Sequence, residues 1–108
     1  MDCSNVKKIT DVTDQVDYDD THGGGRGDST WVSCGQDGSY NELKDKFLKH
    51  FKGVTKESAM AKLMCKCCKT LKPTGREKVS WSDFYKCILS KVSDEAPETR
   101  KKLQELIE

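Results

Sequence analysis

The sequence predicts an all-α protein of four to five short helices, and three observations support this fold class. Apolar residues recur at steps of three and four in several segments, which is the spacing of one buried helix face. Proline and glycine lie between these segments or in a first turn, where helices start or end. Charged and hydrophobic residues each make up 34% of the 108 residues, a balance that suits a single small domain over 1–108 with a thin core.

The N-terminal part of the chain predicts two helices joined by a long polar segment. Residues 4–16 carry one apolar face, although their β-branched side chains lower the intrinsic helix propensity. Residues 17–38 are rich in glycine and polar side chains, so we expect a flexible loop region there. Ser39 with Glu42 forms a capping-box pattern for the second helix, which ends near Gly53. The predicted buried face of this helix consists of Leu43, Phe47, Leu48 and Phe51.

Residues 55–92 predict two further helices separated by a loop, and the rest of the chain is arranged around them. Thr55 and Ser80 are the expected N-caps of these helices. Between the helices, residues 72–78 contain Pro73 and Gly75, which oppose a continuous helix. A last segment, 94–107, either extends the fourth helix after a kink or stands alone. The two apolar faces consist of Met60, Leu63, Met64, Cys67, Cys68 and Leu71, and of Trp81, Phe84, Tyr85, Ile88, Leu89 and Val92.

A helix, a loop of about twelve residues and a second helix give the outline of an EF-hand. Three short motifs extend this outline: Asn41-Glu42-Leu43-Lys44, Lys62-Leu63-Met64 and Lys78-Val79-Ser80-Trp81-Ser82-Asp83-Phe84-Tyr85. Their order and spacing resemble the small dimeric EF-hand proteins of the calgranulin and calcyclin family. The resemblance covers about 42–92 by motif and 4–16 by pattern. In its disabled second loop, the chain is similar to the calcium-independent annexin light chain type, which acts as an adaptor.

Neither loop of this outline has the ligands that a strong calcium site requires. Calcium takes six or more oxygen ligands, normally with carboxylates at the first, third, fifth and twelfth loop positions. In the window 72–83 these positions hold Lys72, Thr74, Arg76 and Asp83, so we expect no calcium there. In the first loop, 29–42, Glu42 is the right residue type for a weak calcium ligand. We favour a capping role for Glu42, because a single carboxylate compensates the charge of the ion poorly.

The resemblance implies a non-enzymatic protein–protein interaction module that binds an amphipathic partner helix without calcium. It also implies a homodimer. In the family an apolar residue of each loop pairs the two loops through a short β-bridge. Val79 fits this role in the second loop, whereas Gly38 stands where the first loop would need an apolar residue. The implied partner-binding residues are Met60, Leu63, Met64, Phe84 and Ile88. The implied dimer interface consists of Val6, Ile9, Val12 and Val16 against Tyr85, Ile88, Leu89 and Val92.

Two alternative functions stay open on the sequence. Lysine and arginine outnumber aspartate and glutamate by 13 to 4 over 43–92, whereas the acidic residues lead by 7 to 3 over 1–30. The basic block could bind nucleic acid or an anionic lipid surface. Cys65 and Cys68 lie one helical turn apart, so they form a candidate zinc pair, although buried cysteine is more often a small hydrophobic residue. Cys65 is also a candidate redox-reactive thiol, because lysines next to a cysteine favour its thiolate. Arg26-Gly27-Asp28 matches an integrin-binding tripeptide, without support elsewhere in the chain.

The sequence predicts no catalytic residues and no cofactor. His50 has no evident nucleophile partner, and the glycine run has no phosphate-binding context. Residues 1–21 lack the apolar run of a signal peptide, and no segment is long enough to cross a bilayer. We therefore expect a cytoplasmic protein whose six cysteines are thiols.

Overall fold

The computed structural model describes residues 3–14, 32, 34, 42–73, 77–92 and 96–107. Within these ranges all regular structure is helical, apart from an isolated bridge at Ser80, so the predicted all-α class is confirmed. The described helices include none that is both long and apolar enough to span a membrane. The elements are a 3-10 turn Cys3–Asn5, α1 Asp11–Asp14, α2 Glu42–Lys46 with a π-helical turn Phe47–Phe51, α3 Glu57–Leu71, α4 Trp81–Lys91 and α5 Pro97–Ile107.

Helix α3 is the central element, and three disulfide bonds attach the N-terminal segment, the segment around Cys34 and helix α4 to it. Cys3 pairs with Cys65, Cys34 with Cys68, and Cys67 with Cys87. The prediction of six thiols is therefore wrong, since no cysteine is free. The sequence alone does not identify these disulfides. Six cysteines allow fifteen different pairings, and the helical spacing of Cys67 and Cys68 fits free cysteines on a buried helix face equally well.

The N-terminal segment is not the continuous helix that we predicted over 4–16. The carboxylate of Asp11 accepts hydrogen bonds from the backbone N–H groups of Lys7 and Lys8, both at 3.0 Å, and these bonds hold the pKa of Asp11 below its ordinary value. The two N–H groups therefore bond to a side chain and not to the carbonyl oxygens of a continuous α-helix. The β-branched residues of this segment also lower its helix propensity. The result is a 3-10 turn, a bend and the single turn α1.

The apolar residues of this segment nevertheless face inward. Val6, Ile9 and Val12 are fully buried in the single chain, as is nearly all of Tyr85, while Leu89 and Val92 pack against the same core. The dimer interface implied for these residues is therefore not supported, since most of their surface is already covered within one copy. Val16, the last member of that set, lies outside the described residues.

Helix α2 ends in a π-helical turn that changes its buried face. Leu43, Phe47 and Phe51 are buried as predicted, but Leu48 is 48% exposed, because a π-helical turn rotates the side chains relative to an α-helix. Gly53 follows with φ +83°, a conformation that favours glycine, and it ends the helix as expected. Helix α3 is preceded by Lys56 as N-cap, without a side-chain hydrogen bond, and not by the predicted Thr55.

Helices α4 and α5 are separate elements that pack against each other. Ser80 caps α4 as predicted, because its Oγ accepts a hydrogen bond from the N–H of Asp83 at 3.1 Å. The guanidinium of Arg100 donates to the carbonyl oxygen of Val92 at 3.3 Å and so ties α5 to the end of α4. The helix–loop–helix unit expected over 55–92 is thus present as α3 and α4, while its pairing as an EF-hand stays a prediction.

The buried residues of all these elements form one hydrophobic cluster. Trp81 makes an edge-on ring contact with Phe84 at 5.6 Å between centroids, and Phe51 meets Tyr85 at 6.2 Å. The second contact joins the end of the α2 segment to α4. The flexible region predicted over 17–38 lies outside the described residues, except for Val32 and Cys34, which are both buried.

Candidate functional site

Most of the residues predicted to line an apolar groove are buried in the core of the single chain. Met60, Met64, Phe84 and Ile88 are fully buried in the core of the single chain, and Leu63 is the one member of the predicted set that is only partly buried. A partner helix has no access to the four buried side chains. The sequence could not separate core from groove here, because both uses require the same apolar periodicity.

Among the described residues, two hydrogen bonds join the connection between α3 and α4 to Val32. The N–H of Val32 donates to the carbonyl oxygen of Val79 at 2.8 Å. The Nζ of Lys72, which has no solvent exposure, donates to the carbonyl oxygen of Val32 at 2.6 Å. Val79 therefore does make a backbone bond to the preceding loop region, through Val32, whereas Gly38 lies outside the described residues. A buried ammonium group lies at the position where a calcium-binding loop begins with a carboxylate.

The cysteines are not available as zinc ligands in this disulfide-bonded structure. Cys65 and Cys68, the predicted pair, are bonded to Cys3 and Cys34, so the zinc hypothesis is wrong for this state. Among the described residues, no three histidine, cysteine, aspartate or glutamate side chains gather where they could hold a metal ion. The side chain of Glu42 and the tripeptide Arg26-Gly27-Asp28 lie outside the part of the chain that is described.

The outer face of α3 carries a row of three lysines, Lys62, Lys66 and Lys69, which we call the lysine stripe. These residues are spaced by four and three, so they lie within about 60° of one another around the helix and span about 10 Å along it. Lys62 and Lys66 are exposed and Lys69 is half-buried, whereas the three disulfide-bonded cysteines of the helix are fully buried. The helix thus has a covalently anchored inner side and a cationic outer side.

No acidic side chain is found paired with the lysine stripe in the described part of the structure. The only glutamate of α3, Glu57, is bound elsewhere, because its Oε2 accepts from Lys44 Nζ at 3.1 Å and from the N–H of Ile9 at 3.0 Å. Lys102 has its own partner in Glu105. Like charges three or four residues apart repel each other, so the lysine stripe lowers the intrinsic stability of the helix that carries it.

Leu63 and Ala59 lie along one side of the lysine stripe. Ala59 is exposed, and Leu63 retains part of its surface in solvent. The surface therefore combines three positive charges with a narrow apolar border. The sequence revealed the charge excess of this region but not the stripe, although three lysines at this spacing share one face of any helix over these residues.

Glu57 at the start of α3 and His50 in the π-helical turn after α2 both have lowered pKa values. The hydrogen bond from the Ile9 N–H and then that from Lys44 lower the pKa of Glu57 from its ordinary value, although burial opposes them. Burial lowers the pKa of His50, and the ammonium groups of Lys102, Lys46 and Lys49 lower it further against the opposing charge of Asp45. His50 is therefore surrounded by cations, and at neutral pH its imidazole adds no charge of its own.

Comparisons of this chain with protein-family models, with curated proteins and with solved structures found no match. A function for this chain therefore has to follow from its own residues and their geometry.

Proposed function

We propose that this chain is a non-enzymatic protein–protein interaction module that binds an acidic amphipathic segment of a partner protein on the outer face of α3. The observation that carries the proposal is the lysine stripe, which has no acidic partner among the described residues and is bordered by Leu63 and Ala59. A partner helix with carboxylates at the same three- and four-residue spacing would neutralise the stripe, while its apolar residues would cover Leu63. Binding is independent of calcium, as expected from the cations in the second loop.

The compartment of this proposed activity is an oxidising one. Disulfides persist in secreted and other oxidising environments and are rare in the cytosol. The three disulfides therefore argue against the cytoplasmic location that we expected because the sequence lacks a signal-peptide pattern and a membrane-spanning segment. They also leave no thiolate nucleophile in this oxidised state, because a disulfide sulfur carries no free thiol.

The proposal can be tested by selecting binders from a displayed library of amphipathic helical peptides. Wild-type protein should enrich peptides with aspartate or glutamate at i, i+4 and i+7. The triple variant Lys62→Glu/Lys66→Glu/Lys69→Glu should bind these peptides on the order of 100-fold more weakly, because each reversed charge pair changes the binding free energy by about 1 kcal/mol. The affinity should be the same with calcium and with a chelator.

The matched control is Lys86→Glu/Lys91→Glu/Lys101→Glu, which makes the same change in net charge at exposed positions of α4 and α5. It should keep the affinity of the wild type. Equal losses in both triple variants would show that only overall charge matters and would contradict a defined surface. Enriched peptides without acidic spacing would contradict it as well.

Nucleic acid or anionic lipid is the second candidate ligand, favoured by the same three lysines. The two candidates differ in their use of Leu63. Truncation by Leu63→Ala should weaken a peptide that covers this side chain, whereas a polyanion that contacts only charges should bind unchanged. The logarithm of polyanion affinity should also fall with the logarithm of salt concentration, with a slope of about one for each lysine that contacts a phosphate.

A further inference from the structure

A cavity of about 460 Å³ lies between the α2–α3 connection, the first turn of α3 and the N-terminal end of α5; Ala59, which borders the lysine stripe, lines it, but none of the three stripe lysines does. Val54, Ala59 and Pro97 supply apolar wall, and Lys56 supplies a positive charge at one side. Glu98 also lines it and is the acidic group of the wall. The cavity is large enough for a small organic molecule, and it opens to solvent.

Thr99 is the unusual member of the lining. Its side chain is only 2% exposed, and no hydrogen bond of its hydroxyl group is found among the described residues. A buried hydroxyl without a partner costs stability, and buried polar groups are nearly always paired. A hydroxyl at the wall of a cavity can find its partner in a bound molecule.

The backbone at the start of α5 offers further donors at the same place. The N–H of Arg100 donates to the carbonyl oxygen of Ala96 at 3.1 Å, and Pro97 has no N–H. The N–H groups of Glu98 and Thr99 lie before this first bond of the eleven-residue helix, so they have no acceptor within the helix. Such N–H groups and the positive end of the helix dipole favour an anionic ligand.

We propose that this cavity binds the carboxylate of a small organic acid. The Thr99 hydroxyl and the first N–H groups of α5 bind the carboxylate oxygens, Lys56 adds a positive charge, and Val54, Ala59 and Pro97 cover the apolar part of the molecule. A single lysine opposed by Glu98 matches a singly charged group better than a doubly charged phosphate. The ligand is thus a monocarboxylate with a short apolar chain.

The test uses octanoate as the probe and the intact, disulfide-bonded chain. Titration followed by amide NMR should give saturable shifts of the Glu98 and Thr99 N–H signals. Thr99→Val removes the hydroxyl at constant shape, so it should weaken octanoate binding about tenfold, whereas Thr99→Ser should retain most of the affinity. Thr99→Val also removes a buried hydroxyl that the described residues do not pair, so this variant should fold at least as well as the wild type.

Two controls distinguish carboxylate recognition at this site from adsorption of an apolar chain and from a general effect of charge. Octanol shares the chain of octanoate but lacks the charge, so it should bind more weakly and should be insensitive to Thr99→Val. The double variant Lys66→Glu/Lys69→Glu leaves Lys62, one turn from Ala59, unchanged, so it should bind octanoate like the wild type. Failure of the proposed protein-binding function would leave this result unaffected. The absence of saturable shifts at Glu98 and Thr99 would overturn the proposal, as would equal octanoate affinity of wild type and Thr99→Val.

Discussion

At the scale of single residues, Lys72 shows how a charged side chain can be part of the core. Its Nζ donates to the carbonyl oxygen of Val32 with no exposure to water. Replacement by methionine nearly keeps the length of the side chain but removes the donor. We expect Lys72→Met to lower the free energy of unfolding by about 2–3 kcal/mol, since a hydrogen bond to a charged group is lost and a buried carbonyl oxygen loses its partner.

Urea denaturation at neutral pH measures this change. Lys66→Met is the matched control, because the same substitution at an exposed lysine should change stability by about 0.5 kcal/mol or less. A Lys72→Met protein as stable as the control would show that the bond to Val32 contributes nothing to folding.

At the scale of elements, the beginning of α3 depends on Glu57, which connects the N-terminal segment and α2 to this helix. Its carboxylate accepts from the N–H of Ile9 and from Lys44, and these bonds lower its pKa. The stabilisation is fully present while Glu57 is ionised, above the pKa of the unfolded chain. It is lost as the pH falls through the lower pKa of the folded chain.

We therefore expect Glu57→Gln to destabilise the protein by about 1 kcal/mol at pH 7 and to have a smaller effect below about pH 4. Thermal unfolding across this pH range measures the difference. Glu98→Gln on α5, which removes an exposed carboxylate, is the matched control and should change the free energy of unfolding by about 0.5 kcal/mol or less. A constant difference between wild type and Glu57→Gln at every pH would contradict the role of the charge.

The elements that the sequence predicted best are those with both a long apolar period and a local signal at the end. Helices α3 and α4 have such a period, Ser80 begins α4, and Gly53 ends the α2 segment. The predictions failed where a tertiary contact or an unexpected local hydrogen bond determines the backbone conformation or the burial of a side chain. The bonds of Asp11 break the N-terminal helix, and the apolar pattern of that segment does not indicate them. The cysteine pairing and the burial of Lys72 depend on residues 20 or more positions away.

At the scale of the whole molecule, each disulfide contributes to the free energy of unfolding according to the length of the loop that it closes. The closed loops span 62, 34 and 20 residues. Because a longer loop loses more entropy on closure, replacing Cys3 and Cys65 by alanine should cost more than replacing Cys67 and Cys87, by about 1 kcal/mol. Each loss should lie at about 2–5 kcal/mol.

Urea unfolding of the three double-alanine variants tests this order, with the Cys34/Cys68 variant expected between the other two. The fully reduced wild type serves as the reference for losing all three bonds. Equal stability of all variants and the wild type would show that the disulfides form without stabilising the fold.

The arrangement of the cross-links also has a consequence for proteolysis. Cys65, Cys67 and Cys68 hold all three bonds within four residues, so the chain from Cys3 to Cys87 is closed into linked loops. A single cut within the 4–64 stretch leaves the two fragments covalently joined. Residues after Cys87 have no such link, and the contacts of α5 with α4 and the end of α2 are noncovalent. A cut between α4 and α5 therefore separates the cavity wall formed by Thr99 from a remainder that stays cross-linked.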